Sequence, residues 1–404
     1  MSDQISFFSA TTTERDVGAA VQSLLKELAQ EVEKPWTDGW FDLALVFLSA
    51  QFTYDARQII QNLRSELKSR LMLGCTAEGV IGRDQELEGG TAISLVAAHL
   101  PGVNLSPFLL QPNEWHILLL DPDEFRRFVD APEDTRLFVV LGDPLSTPAE
   151  DVLDAFNSYY AGIPIVGGMA SGALRPDGNV LFLDDRLTHE GIVGVALAGD
   201  LDVDVVVSQG CRPIWRPFKV TSALKNKIFS LEGRPPLAWI QELIPELIEE
   251  DRNLLQSGLY IGRAIRSREG VYGRGDFLIR GVMGIDRENG AIDVGDLVQE
   301  GEMIQFHIRD ALTAREDLEM MLIPQMFREA PRGGLLFLCN GRGTRLYDYP
   351  NGDISIIQRS LEGTHLGGFF CAGEIGPIGG ENFLHGQTAS LALFRSLAEE
   401  SSSF

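Results

Sequence analysis

The chain has 404 residues, 44% of them apolar, which suffices for two or three domains with full cores and is too much for a disordered polymer. Its 34 basic and 58 acidic residues leave a formal charge of −24, which repels phosphate backbones and anionic lipid, so neither nucleic acid nor a membrane is an expected partner. Apolar runs fall short of the ~20 residues of a membrane span, the N-terminus lacks the basic-then-apolar start of a secretory leader, and four cysteines without a C-x-x-C pair indicate free thiols, so a cytoplasmic protein is expected.

From the N-terminus, Val17, Val21, Leu24, Leu25 and Leu28 recur at helical spacing. The apolar run 43–48 reads as a buried strand ending in Ser49-Ala50-Gln51, and Ile59, Ile60, Leu63 and Leu67 as a helix. A glycine turn, Leu73-Gly74-Cys75-Thr76-Ala77-Glu78-Gly79, and a strand at 91–96 follow. The same order returns in the run 137–141, the loop Gly142-Asp143-Pro144, a helix over Val152, Leu153 and Phe156, the turn Ile165-Val166-Gly167-Gly168-Met169-Ala170-Ser171-Gly172 and a strand at 191–197. Thr147 is the expected N-cap of that helix, with Pro148 at its first position and Glu150 three residues after the cap.

Character changes over 201–260, with a strand at 203–207, a turn at 209–213 and a proline-started helix at 235–250. Residues 258–310 then read as strands and tight turns, among them Arg274-Gly275-Asp276, ending in a strand at 303–308 and the pair Arg309-Asp310. Leu312, Leu318, Met321, Leu322 and Met326 mark one face of a further helix. The third instance of the earlier order has the run 335–338, the loop Cys339-Asn340-Gly341-Arg342-Gly343, a short helix over Ile354, Ile357 and Leu361, the glycine-rich turn 369–380 and a strand at 388–393. The expected fold is α/β, two domains of mixed, largely layered sheets with flanking helices, built from repeated β-α-β-(Gly turn)-β units.

A strand–helix–strand passage favours a parallel pair with a right-handed crossover and sets the loops after both strands on one sheet edge, where open α/β sheets bind ligands. The glycine turns and loops are therefore expected to wall one pocket holding Cys75, Thr76, Glu78, Gly168, Ser171, Asn340, Arg342, Gly343, Cys371, Glu374, Asn382 and His385, with Arg309 at a strand end. Arg342 and Arg309 suit a ligand carboxylate, and Glu78 or Glu374 an ammonium; ion pairing of the arginines with local acids such as Asp310 or Asp348 is the alternative. Asn340 and Asn382 suit either ligand orientation or turn formation. Cys371, Glu374 and His385 also admit a cysteine-dependent hydrolase or transferase, against which stands a small cysteine packed beneath a tight turn. The histidines form no metal motif, no G-x-x-x-x-G-K-[ST] occurs, and the glycine turns precede strands rather than helices, so neither a metal nor a cofactor is expected.

The turn 74–79, Gly167-Gly168-Met169-Ala170-Ser171, Ser208-Gln209-Gly210-Cys211-Arg212-Pro213, Asp276-Phe277-Leu278-Ile279-Arg280, Cys339-Asn340-Gly341-Arg342-Gly343 and the run 369–388 together resemble the FIST family, from about residue 40 to the end. The last two motifs are the most specific. The resemblance implies an N-terminal helical segment at 1–39, a FIST N-terminal domain at 40–225 and a FIST C-terminal domain at 226–404. It also implies an intracellular signal-input module for a small polar molecule, amino acids or their derivatives among the candidates. Unlike family members fused to signalling domains, this chain has ~40 leading residues, too few for a kinase, cyclase or receiver domain. A signal is therefore expected to pass to a separate partner protein.

Overall fold

Runs that are apolar at every residue need a cover on both faces, and each of the three long runs occupies the interior of its own sheet. The computed structural model describes residues 4–31, 41–265, 272–273 and 275–397. In the first sheet Phe41–Ser49 pairs in parallel with Ser69–Ala77 and antiparallel with Ile93–His99. In the second, Thr135–Gly142 pairs in parallel with Ile165–Met169 and antiparallel with Ile192–Gly199. In the third, Gly333–Cys339 pairs in parallel with Leu366–Cys371 and antiparallel with Thr388–Arg395. The helices Ala56–Leu67, Ala149–Tyr159 and Gly352–Ser360 lie between the parallel strands in sequence. The protein is α/β with mixed sheets.

Side chains alternate across a strand, so each central strand serves two cores. Leu45 and Phe47, Val139 and Leu141, and Leu335 and Phe337 meet in one apolar centre common to the three sheets. Their neighbours Val46 and Leu48, Phe138 and Val140, and Leu336 and Leu338 pack outward in three further clusters that include helix residues such as Ile60, Phe156 and Ile357.

Past each parallel pair the chain leaves its own sheet. Gly79–Ile81 and Glu86–Glu88 form a hairpin on Leu366–Cys371 of the third sheet. Leu181–Leu183 and Arg186–Thr188 form one on Ser69–Ala77 of the first. Glu374–Ile378, followed by Glu381–His385, adds to Ile165–Met169 of the second. The exchange is cyclic, each sheet lending one hairpin and receiving another.

The chain divides into two compact units, the first of residues 1–208, 318–384 and 388–404, the second of 209–317 and 385–387. The second unit carries a seven-stranded sheet, in the order Cys211–Pro213, Met303–Arg309, Phe218–Leu224, Lys227–Leu231, Ile292–Val294, Phe277–Ile285 and Tyr260–Ala264. Phe218, Ile261, Ile292 and Phe306 are in its core.

Three local expectations change. Thr147 does not cap: its hydroxyl donates to the Gly191 carbonyl at 3.0 Å, and the helix begins at Ala149 behind Pro148. The stretch 235–250 breaks into Pro236–Leu243, a 3-10 turn at Ile244–Glu246 and a new helix from Glu249, because Pro245 cannot supply the N–H that a continuing helix requires. In the helix Ala311–Leu322, Leu318 and Leu322 are buried while Leu312 and Met321 are exposed, and Met326 falls in the 3-10 turn Ile323–Phe327. Arg274, in the turn 274–276, lies outside the described residues.

Candidate functional site

At the end of Gly333–Cys339 the chain turns back, the Arg342 amide donating to the Cys339 carbonyl at 2.8 Å and the Asn340 amide to that of Cys371 at 3.0 Å. The short helix Thr344–Tyr347 follows. Gly343 has φ of 59°, and a Cβ there would stand 2.6 Å from a Glu88 carboxylate oxygen. Glycine thus leaves room for Glu88, which accepts from the Thr344 amide at 2.9 Å and its hydroxyl at 3.0 Å.

These residues open onto a cavity of about 230 Å³ lined by Glu78, Glu88, Asn340, Thr344, Arg345 and Phe370. Arg345 donates to the Asn340 carbonyl at 2.8 Å and to both oxygens of Glu78. That pair is exposed, with side-chain exposures of 54% and 41%. The Asn340 amide oxygen is buried and has no hydrogen-bond partner among the described residues. One cation, Arg345, and two carboxylates, Glu78 and Glu88, therefore line a single small space.

Behind the cavity the electrostatics are closed. Arg342 is fully buried and donates to both oxygens of Asp353, at 2.8 and 2.5 Å, and to the Tyr347 hydroxyl at 3.0 Å. Burial opposes its charge, but Asp353 and Tyr347 hold its pKa well above the ordinary value. Glu86 is buried nearby, accepts from the Ile354 amide at 2.8 Å, and has its pKa raised by burial and by Asp353. Glu86 and Glu88, two residues apart, share one face of their strand; Glu86 is buried at its start and Glu88 lines the cavity at its end.

The glycine turns of the three sheets do gather, as a packed knot. Thr76 exchanges hydrogen bonds with the Val180 backbone at 2.9 Å, and its carbonyl accepts from the Ser171 amide at 3.3 Å. Ser171 donates to the Phe370 carbonyl and accepts from the Glu78 amide at 2.9 Å. A Cβ on Gly168 would stand 2.5 Å from the Cys371 sulfur, and Cys75 is wholly buried in the same core. Asn382 braces the second sheet, accepting from the Ile165 amide at 2.8 Å and donating to the Ile163 carbonyl at 2.9 Å. Arg309 and His385 belong to the second unit, Arg309 in register with Cys211.

Of the expected site residues, Glu78 and Asn340 line this cavity and Gly343 shapes it through Glu88. Arg345, Glu88 and Thr344 were not foreseen. The signal for Arg345 was its spacing: three residues beyond Arg342, it lies past a glycine that redirects the chain.

The family model described as FIST N domain matches residues 42–234, and that described as FIST C domain matches residues 236–377. The chain belongs to the FIST family. FIST domains are sensory, ligand-binding signalling domains. An uncharacterized protein of Mycobacterium tuberculosis is 36% identical over 377 residues, covering 93% of this chain and 96% of its own. An uncharacterized protein of Mycobacterium bovis is 36% identical over 355 residues, covering 87% and 90%.

In this FIST chain Cys371 is wholly buried, and burial together with the Glu374 carboxylate raises its thiol pKa well above the ordinary value. An activated nucleophile has the opposite shift. Glu374 accepts from the Thr388 hydroxyl at 2.8 Å and its amide at 3.3 Å, and burial, opposed by those bonds, pushes its pKa up to about 7. Among the described residues no cluster of three or more His, Cys, Asp or Glu is arranged to hold a metal, and no helix is long and apolar enough to cross a membrane.

Proposed function

We propose that this FIST protein senses a small polar metabolite bearing an ammonium and a carboxylate, an amino acid or close derivative, in the Glu78–Arg345 cavity. A separate protein partner reads the bound state. The observation that carries this reading is the coexistence of Arg345, Glu78 and Glu88 around one space of about 230 Å³, smaller than the ~300 Å³ at which drug-sized pockets begin. An exposed ion pair is worth ~1 kcal/mol or less, so a zwitterion can part Glu78 from Arg345 at little cost, its ammonium taking Glu78 and its carboxylate the planar fork of Arg345.

Thermal-shift and calorimetric titration with amino acids and keto acids tests it. A stabilising ligand is expected from the first group. Replacing Arg345 by Ala should weaken its binding at least tenfold, the loss of one charge-assisted hydrogen-bonded contact. A panel that shifts nothing, or a ligand indifferent to both Arg345→Ala and Glu78→Gln, would sink the reading.

A further inference from the structure

Cys339 and Cys371 are the last residues of Gly333–Cys339 and Leu366–Cys371 and are register partners across that parallel pair. Register partners on neighbouring strands share a sheet face. One rung earlier on that face, Phe337 and Phe369 meet with ring centroids 5.6 Å apart. Neighbouring strands lie ~4.8 Å apart, inside the ~4.4–6.8 Å range of Cα separations that disulfides span.

The two thiols differ in access. Cys371 is wholly buried; Cys339 is half-buried and precedes Asn340, which lines the open cavity. The Gly341 amide donates to the Cys339 sulfur at 3.4 Å. Glu374 is hydrogen-bonded to Cys339 and interacts electrostatically with Cys371, whose thiol donates to the Phe369 carbonyl at 3.6 Å. The ligand reading uses none of these three side chains.

We propose that Cys339 and Cys371 are a peroxide-responsive thiol pair, Cys339 the sulfur first oxidised, Cys371 the resolving thiol and Glu374 its base. The Cys339 thiol loses its proton to solvent and the thiolate attacks one oxygen of a hydroperoxide; the O–O bond breaks, the departing oxygen takes up a proton from solvent, and the products are a Cys339 sulfenic acid and, from hydrogen peroxide, water. Cys371 then gives its proton to Glu374 and its sulfur displaces the sulfenic hydroxyl. Glu374 returns the proton to that hydroxyl, which leaves as a second water. Two thiols lose two electrons, one peroxide gains them, and a thiol reductant restores the pair. Burial makes Cys371 unreactive by itself, so the second step depends on Glu374.

Hydrogen peroxide treatment of the full chain, thiol blocking and peptide mass mapping test this without any variant. The expected product is a Cys339–Cys371 crosslinked peptide pair, two hydrogens lighter than its reduced parts and restored by dithiothreitol. Cys371→Ser should stop at a Cys339 sulfenic acid that dimedone traps. Glu374→Gln should slow crosslinking about a hundredfold while leaving dimedone labelling of Cys339 intact, and Cys75→Ser should leave the crosslink in place. Cys339 that stays alkylatable after peroxide, a wild-type sulfenic acid that never closes, or a crosslink through Cys75 would each overturn the proposal.

Discussion

Arg342 and Arg345 stand three residues apart and differ in role because Asp353 is buried beside only the first. A Gly-Arg-Gly loop is legible as a sharp turn holding a cation, but which neighbouring arginine is captured depends on an acid eleven residues on, at the start of another helix. Removing one partner of a buried pair leaves an uncompensated charge. Asp353→Asn should therefore cost about 3–5 kcal/mol in urea unfolding, whereas Glu78→Gln, at the exposed pair, should cost under about 1 kcal/mol; equal losses would contradict this division. Glu374 gives a pH-dependent counterpart. Its folded pKa of about 7 lies above the ordinary 4.5, so between those values the folded state binds more protons and stability falls as pH rises. Glu374→Gln keeps an acceptor for Thr388 and removes the charge, so it should stabilise the protein by about 1–3 kcal/mol at pH 8 and have little such effect at pH 4. A variant that gains nothing at pH 8 relative to pH 4 would show that the carboxyl is not held neutral by its surroundings.

At the scale of elements, the long apolar runs were readable because a central strand covered on both faces must be apolar throughout, and the parallel pairing followed from the helix between the strands. The exchanged hairpins were not. Their strands have only three to five residues, too few for a periodic pattern, and their sheet is chosen by tertiary packing rather than by their own sequence. What the sequence did mark was the glycine at each crossing. A Cβ at Gly167, whose φ is 138°, would stand 1.9 Å from the Val140 carbonyl oxygen, and one at Gly74 or Gly368 would stand 1.8 Å from that of Val46 or Leu336. These glycines let paired parallel strands approach where the chain is about to change sheets. Gly167→Ala combines a strained backbone with an immovable contact and should destabilise by about 3 kcal/mol or more. Gly363→Ala, where a Cβ meets nothing within 4 Å but φ is 79°, should cost only the ~1 kcal/mol of a left-handed alanine. Urea midpoints at unchanged slope would separate the two, and equal costs would show that the close contact is not decisive.

At the scale of the first unit, three sheets that lend each other hairpins and face one apolar centre have no boundary along which one could melt alone. Phe47 makes the point physically: it rises from the first sheet, is wholly buried, and stacks on Phe369 of the third at 5.0 Å while meeting Phe337 edge-on at 6.4 Å. Truncating such a ring costs about 3–5 kcal/mol. Were the sheets independent, Phe47→Ala would speed amide exchange mainly in Phe41–Ser49 and its direct partners. With a shared centre the loss is common to all. The slowest amides of Thr135–Gly142 and Gly333–Cys339 should then exchange about a thousandfold faster, matching those of Phe41–Ser49, since globally opening amides all report the same free energy. Protection retained in Thr135–Gly142 while Phe41–Ser49 loses it would mean that the second sheet holds without the common core. On the proposed reading, a cooperative unit of this kind gives the cavity rigid walls, so that a ligand bound between Glu78 and Arg345 would be felt in the loop 340–345 rather than dissipated in the sheets behind it.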